Sequence, residues 1–77
     1  MHAMGMAIAN PALVPGSTLR TYRELHGVER TEVAKRLGKH RNTLAGWEAA
    51  VQVDATRAEL FRLAVDAIVR ERLESVA

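Results

Sequence analysis

Four consecutive residues, His40-Arg41-Asn42-Thr43, carry side chains suited to the edges of base pairs. A guanidinium offers two donors that match guanine O6 and N7, and a carboxamide offers a donor and an acceptor that match adenine N6 and N7. Each such bidentate pair discriminates between bases by ~1–3 kcal/mol. His40 and Thr43 flank Arg41 and Asn42 where a helix N-terminus approaches phosphate, and main-chain N–H groups of a first helical turn add attraction for an anion. Chemistry of this kind needs a protruding helix to carry it and a second helix to brace that one across a short turn.

The stretch RTEVAKRLGKHRNTLAGWE, Arg30 to Glu48, supplies both. A helix over Arg30–Leu37 buries Val33, Ala34 and Leu37 and ends at Gly38. Ala34 is small where a crossing helix must come close. The second helix, about 41–49, buries Leu44 and Trp47 and leaves Arg41, Asn42, Ala45 and Gly46 outward. Arg30, opening the first of these helices, is placed to hold the neighbouring DNA backbone, and Lys39 in the turn adds a second phosphate contact.

The rest of the chain has to support that unit. A helix over about Ser17–His26 takes Ser17 or Thr18 as N-cap, ends on a left-handed Gly27, and turns Leu19, Tyr22 and Leu25 inward. A last helix, about 55–76, starts at Asp54 or at Thr56, where Thr56 and Glu59 fit a capping box. Leu60, Leu63, Ala64, Ala67 and Ile68 form one apolar stripe along it. Phe61, Val65, Val69, Leu73 and Val76 form a second, and so much apolar surface predicts a subunit interface on this second stripe. Asp66, Glu71 and Glu74 with Arg62, Arg70 and Arg72 read as a solvated, i,i+4-paired face. Residues 1–16 are expected to be a flexible arm and residues 17–77 the folded domain.

Charge is divided in the same way. The net balance is only +2, but residues 20–47 hold seven Lys/Arg against three Glu, or +4, while residues 48–77 hold four Arg against six acids, or −2. The basic half coincides with the two-helix unit, as a surface facing nucleic acid requires. A chain of 77 residues forms one domain, and at this length folding buries only ~60% of the unfolded surface, which favours a partner subunit.

Several function classes drop out. There is no cysteine, which removes disulfides, thiolate metal sites and Cys nucleophiles and suits an intracellular protein. His2, His26 and His40 have no carboxylate or thiol companions at ligand spacing, so no metal is implied. Ser17 and Ser75 have no base beside them, and no glycine-rich phosphate loop exists. The first fifteen residues are apolar but lack Lys and Arg and are broken by Pro11 and Pro15, so they read as neither signal peptide nor membrane span. No catalysis, cofactor or small-molecule ligand is implied.

LRTYRELHGVERTEVAKRLGKHRNTLAGWE, residues 19–48, resembles the Cro/cI-type, lambda-repressor-like helix-turn-helix family. The resemblance rests on Leu-Arg, an Arg three residues on, Gly, a helix ending Leu-Gly, and a recognition helix closing on an aromatic residue and Glu. It implies an ion pair between Arg23 and Glu48, a phosphate contact from Arg30, and base-reading positions at Arg41, Asn42 and Gly46, with Ala45 near a thymine methyl. Three departures stand out: Glu29 replaces the usual small N-cap, Gly46 offers no side chain, and Ala49–Asp54 lacks a basic loop. HRNTL followed by VDATRAELFRLAVDA is similar, more distantly, to the C-terminal helix-turn-helix of purine-catabolism-type regulators. The expectation is an all-α domain of four to five helices with a long C-terminal helix. It would bind operator duplex DNA as a homodimeric repressor or Cro-like switch protein, in the cytoplasm of a bacterial or phage-infected cell. The alternative is a protein-interaction module, antitoxin-like or a co-regulator subunit, working through the C-terminal helix.

Overall fold

The computed structural model describes residues 13–76. In chain order come β1 (Leu13–Val14), α1 (Gly16–Leu25), α2 (Arg30–Leu37), α3 (Arg41–Ala49), β2 (Val53–Asp54) and α4 (Ala55–Ser75). The all-α class holds, with four helices and a long last one. The arm expected over 1–16 lies mostly outside the described residues. Its last part is tied down: β1 pairs antiparallel with β2, Leu13 opposite Asp54 and Val14 opposite Val53.

The start of α1 departs from expectation. Its N-cap is Pro15, without a side-chain cap bond, and Ser17 and Thr18 stay exposed. The cap is unnecessary because the Gly16 N–H donates to the Ala50 carbonyl at 3.1 Å. The end of α3 thus satisfies a donor that a helix start would otherwise leave open, with opposite ends of two helix dipoles in contact. Only glycine fits, since a Cβ on residue 16 would stand 2.2 Å from the Trp47 carbonyl oxygen and 2.5 Å from that of Ala50.

Leu25, expected inward, is 78% exposed. Six residues of helix advance ~600°, which turns Leu25 ~120° from Leu19, whereas Arg23 is only ~40° away. Arg23 therefore shares the inner face with Leu19, and Tyr22 is half-buried beside them. The turn into α3 forms as expected: Gly38 has φ 68°, the Lys39 N–H donates to the Ala34 carbonyl at 2.9 Å, and the Gly38 N–H to Lys35 at 3.2 Å. Those are the two bonds of a Schellman ending, and they reverse the chain within three residues.

Asp54, not Thr56, caps α4 by accepting the Arg57 N–H at 2.9 Å. The inward face of α4 draws on both expected stripes: Ala64, Ala67 and Ile68 are buried as expected, but Phe61 and Val65 are buried with them. Phe61 and Val65, expected at a subunit interface, are fully buried and pack with Val33 and Leu44 at the centre of the core. Val69 is half-buried against the same cluster. Leu60 and Leu63, expected inward, are about half exposed, as are Leu73 and Val76 to a greater degree. The buried arc of Ala58, Phe61, Ala64, Val65, Ala67 and Ile68 lies between the two stripes, and a 3.6-residue period alone does not say where on so apolar a helix the centre of that arc falls.

Charged side chains of α4 also reach across the bundle rather than only along the helix. Arg72 donates to the Gly27 carbonyl at 3.0 Å and to the Glu32 carboxylate at 2.6 Å, Glu71 meets Arg36 at 2.6 Å, and the Tyr22 hydroxyl donates to Asp66. Arg62 keeps to its own helix, pairing with Glu59 and Asp66. Exposed pairs of this kind contribute little to stability; α4 is held on α1 and α2 by its buried apolar face.

Candidate nucleic-acid interface

The interface is built on α2, its turn and α3. Leu44 is fully buried and Trp47 half-buried, which anchors α3 on one side only. The opposite side presents Arg41, Asn42, Thr43 and Gly46, all exposed, with Ala45 half-buried among them. A Cβ added to Gly46 would meet nothing within 4 Å, so that position is an open notch in the helix face.

His40 is the N-cap of α3. Its Nδ1 accepts the Asn42 N–H at 3.0 Å, which requires that nitrogen to be unprotonated and puts the neutral ring's proton on Nε2. The Thr43 N–H already donates to the His40 carbonyl at 3.0 Å. Two first-turn N–H groups are therefore used within the protein, and less main-chain attraction for phosphate remains than the sequence suggested.

Behind this face lies a buried charge network. Arg23 Nε and Nη2 donate to the two oxygens of Glu48 at 2.8 and 3.0 Å, and Arg23 Nη1 donates to the Val28 carbonyl at 3.1 Å. The pair implied by the family resemblance is thus in contact. Arg30 joins it, which nothing in the sequence pattern indicated: its Nε and Nη2 donate to Glu48 Oε1 at 3.2 and 3.0 Å. Burial pushes the Glu48 carboxyl up, but the bonds from Arg23 and Arg30 outweigh it and hold it below the ordinary carboxylate value. Two guanidinium groups around one carboxylate leave the cluster with a net positive charge, at the junction of α1, α2 and α3.

A second cluster surrounds Trp47, the residue before Glu48 in α3. Lys39 Nζ lies 5.9 Å from the centre of the Trp47 ring and Arg57 Cζ lies 6.0 Å from it, both within cation–π range. Arg57, in the first turn of α4, also pairs with Asp54 at 2.8 Å. With Gly46, Trp47 and Gln52 it lines a shallow cleft beside the outer face of α3. Arg57 is not evident from the sequence because the stretch that follows the recognition helix, residues 49–54, has no basic side chain. The available signal was a basic residue three positions after a capping Asp.

A family model described as helix-turn-helix, of the Cro/C1 type, matches residues 19–65, from Leu19 in α1 to Val65 in α4. The chain belongs to the Cro/C1-type helix-turn-helix family. The match extends past the thirty residues that carried the resemblance and takes in the whole Arg23–Glu48–Arg30 network and the buried Phe61 and Val65. It makes the chain a DNA-binding domain of a regulatory, typically non-enzymatic family. No curated protein and no solved structure matches the chain. Among the described residues no group of His, Asp and Glu is gathered to hold a metal ion, and no helix is long and apolar enough to cross a membrane.

Proposed function

We propose that this helix-turn-helix domain reads an operator in duplex DNA through Arg41 and Asn42 and regulates transcription as a homodimeric repressor or Cro-like switch. The observation that carries this reading is the first turn of α3, where Arg41, Asn42 and Thr43 are all exposed on a helix anchored from behind by Leu44 and Trp47. Arg41 suits guanine and Asn42 adenine, while Ala45 and the notch at Gly46 accept a thymine methyl without adding a polar contact. Arg30, Lys39, His40 through Nε2, Thr43 and Arg57 serve the phosphates, which fix register but carry no sequence information. A homodimer would place two α3 helices in successive major-groove turns, ~34 Å apart. Its contact surface is then the exposed apolar part of α4, Leu60 and Leu63 or Leu73 and Val76, since Phe61 and Val65 are committed to the core. A duplex DNA target supports a location in the cytoplasm, at the nucleoid.

Fluorescence anisotropy with a duplex selected from random sequence, and with a scrambled one, tests the assignment. Arg41→Ala and Asn42→Ala should each narrow the gap between the two duplexes by ~1–3 kcal/mol. Equal losses on both duplexes would overturn the base-reading role. The exposed Leu60, Leu63, Leu73 and Val76 favour a second reading, a module that binds another protein through α4. Light scattering separates the two: a homodimer that binds DNA supports the first, and a monomer that ignores DNA supports the second.

A further inference from the structure

A role for Arg30 beyond its charge rests on its proposed contact with the DNA backbone. Its guanidinium is not a free charge at the end of a mobile side chain. Two of its nitrogens, Nε and Nη2, donate to Glu48 Oε1 at 3.2 and 3.0 Å. That carboxylate is itself held: its side chain is 2% exposed, and Arg23, bonded in turn to the Val28 carbonyl, donates to both oxygens. The Arg30 side chain, by contrast, is 37% exposed, so one part of it is seated on Glu48 while another reaches solvent.

We propose that Glu48 is a positioning residue for DNA binding, holding Arg30 with its outer edge toward a backbone phosphate. A guanidinium has five N–H donors. The side edge, Nε with one hydrogen of Nη2, is occupied by Glu48. Three donors remain: both hydrogens of Nη1 and the second of Nη2. One hydrogen of each Nη forms the end edge, which can grip a phosphate bidentately, and the other Nη1 hydrogen points back on the Cδ side. An arginine therefore serves both partners at once, and the cluster of two guanidinium groups and one carboxylate stays positive as the phosphate arrives. The freedom of a long side chain is given up in the free protein, so less is lost on binding. Glu48 belongs to α3 and Arg30 opens α2. The contact that fixes position on the backbone is thereby tied to the helix that carries Arg41 and Asn42, and register and reading move together.

A lysine at position 30 keeps the charge but has one nitrogen and no second edge. Affinity and its salt dependence are measured by anisotropy for the full chain and for Arg30→Ala, Arg30→Lys, Glu48→Gln and the Arg30→Ala/Glu48→Gln double variant. The selected and scrambled duplexes serve as probes, and circular dichroism checks folding. Arg30→Ala should weaken both duplexes about tenfold and lower the slope of log K against log salt by ~0.9, one phosphate contact. Arg30→Lys should lose affinity nearly as far while keeping most of the slope. Glu48→Gln should weaken both duplexes, and the double variant should bind no worse than Arg30→Ala alone. Full rescue by lysine overturns the positioning role and leaves the phosphate contact standing, as does Glu48→Gln that binds like or tighter than the parent. Arg30→Ala that binds like the parent removes the phosphate contact and the proposal with it. Should Glu48→Gln fail to fold, the comparison of lysine with alanine at position 30 decides alone.

Discussion

Gly16→Ala asks how tightly α1 is seated on the end of α3. The added methyl would lie 2.2, 2.5 and 2.9 Å from the carbonyl oxygens of Trp47, Ala50 and Glu48. Ordinary C···O contacts begin near ~3.3 Å, so the start of α1 must retreat by about 1 Å. All three obstacles are backbone, which cannot swing aside as a side chain would. Overpacking of this kind costs ~1–3 kcal/mol. The retreat also weakens the Gly16 N–H bond to Ala50, 3.1 Å in the native domain, which adds about 1 kcal/mol. Removing the extra freedom of glycine in the unfolded chain offsets up to about 1 kcal/mol. The net loss comes to about 2 kcal/mol, or roughly 8–16 °C in Tm for a domain of this size. Gly46→Ala is the control. It makes the same chemical change, also in a helix, with nothing within 4 Å of the new methyl, and should stabilise by ~0.5–1 kcal/mol. Urea titration followed by Trp47 fluorescence and by circular dichroism measures both, provided the m-values agree with the parent. Gly16→Ala as stable as the parent, or Gly46→Ala equally damaging, would refute the reasoning.

The buried face of α4 predicts that Phe61→Ala costs ~3–5 kcal/mol while Leu63→Ala, half exposed, costs less than about 1 kcal/mol; thermal melts at one protein concentration check this, and the reverse order would put Leu63 inward. Acid stability follows from Glu48, whose carboxyl is held below its ordinary 4.5 because the bonds from Arg23 and Arg30 outweigh burial. A depressed acid contributes stability that is complete above the unfolded value and is lost as pH falls through the folded one. Between about pH 6 and about pH 3 the parent should therefore lose more Tm than Glu48→Gln does. Glu32 and Glu59, also lowered by arginine partners, are present in both proteins and cancel in the comparison.

Local signals carried the middle of the chain. The limits of α2 and α3 are readable because Gly38 must adopt a positive φ and because a polar quartet opens the next helix. The outward placement of Arg41 and Asn42 follows from the spacing of Leu44 and Trp47 on one turn. Even the choice of Asp54 as a cap was among the sequence alternatives. These are properties of a few neighbouring residues, and neighbouring residues determine them.

What escaped the sequence depends on residues far apart. Whether Phe61 or Leu60 faces inward is degenerate in a helical period and is decided when α4 docks against Val33 and Leu44. Gly16 looks like an ordinary turn glycine until the carbonyls of α3, some thirty residues later, close over it. Arg30 reads as a free cation until Glu48, eighteen residues on, is brought under it, and Arg57 as a solvated one until Trp47 stands beside it. Helix periodicity and turn conformation are local, so residues 30–48 alone specify a polar helix start presented on a two-helix unit. Which cations are held and which stand free is settled at longer range, because a guanidinium's partners are chosen by the packing of whole helices.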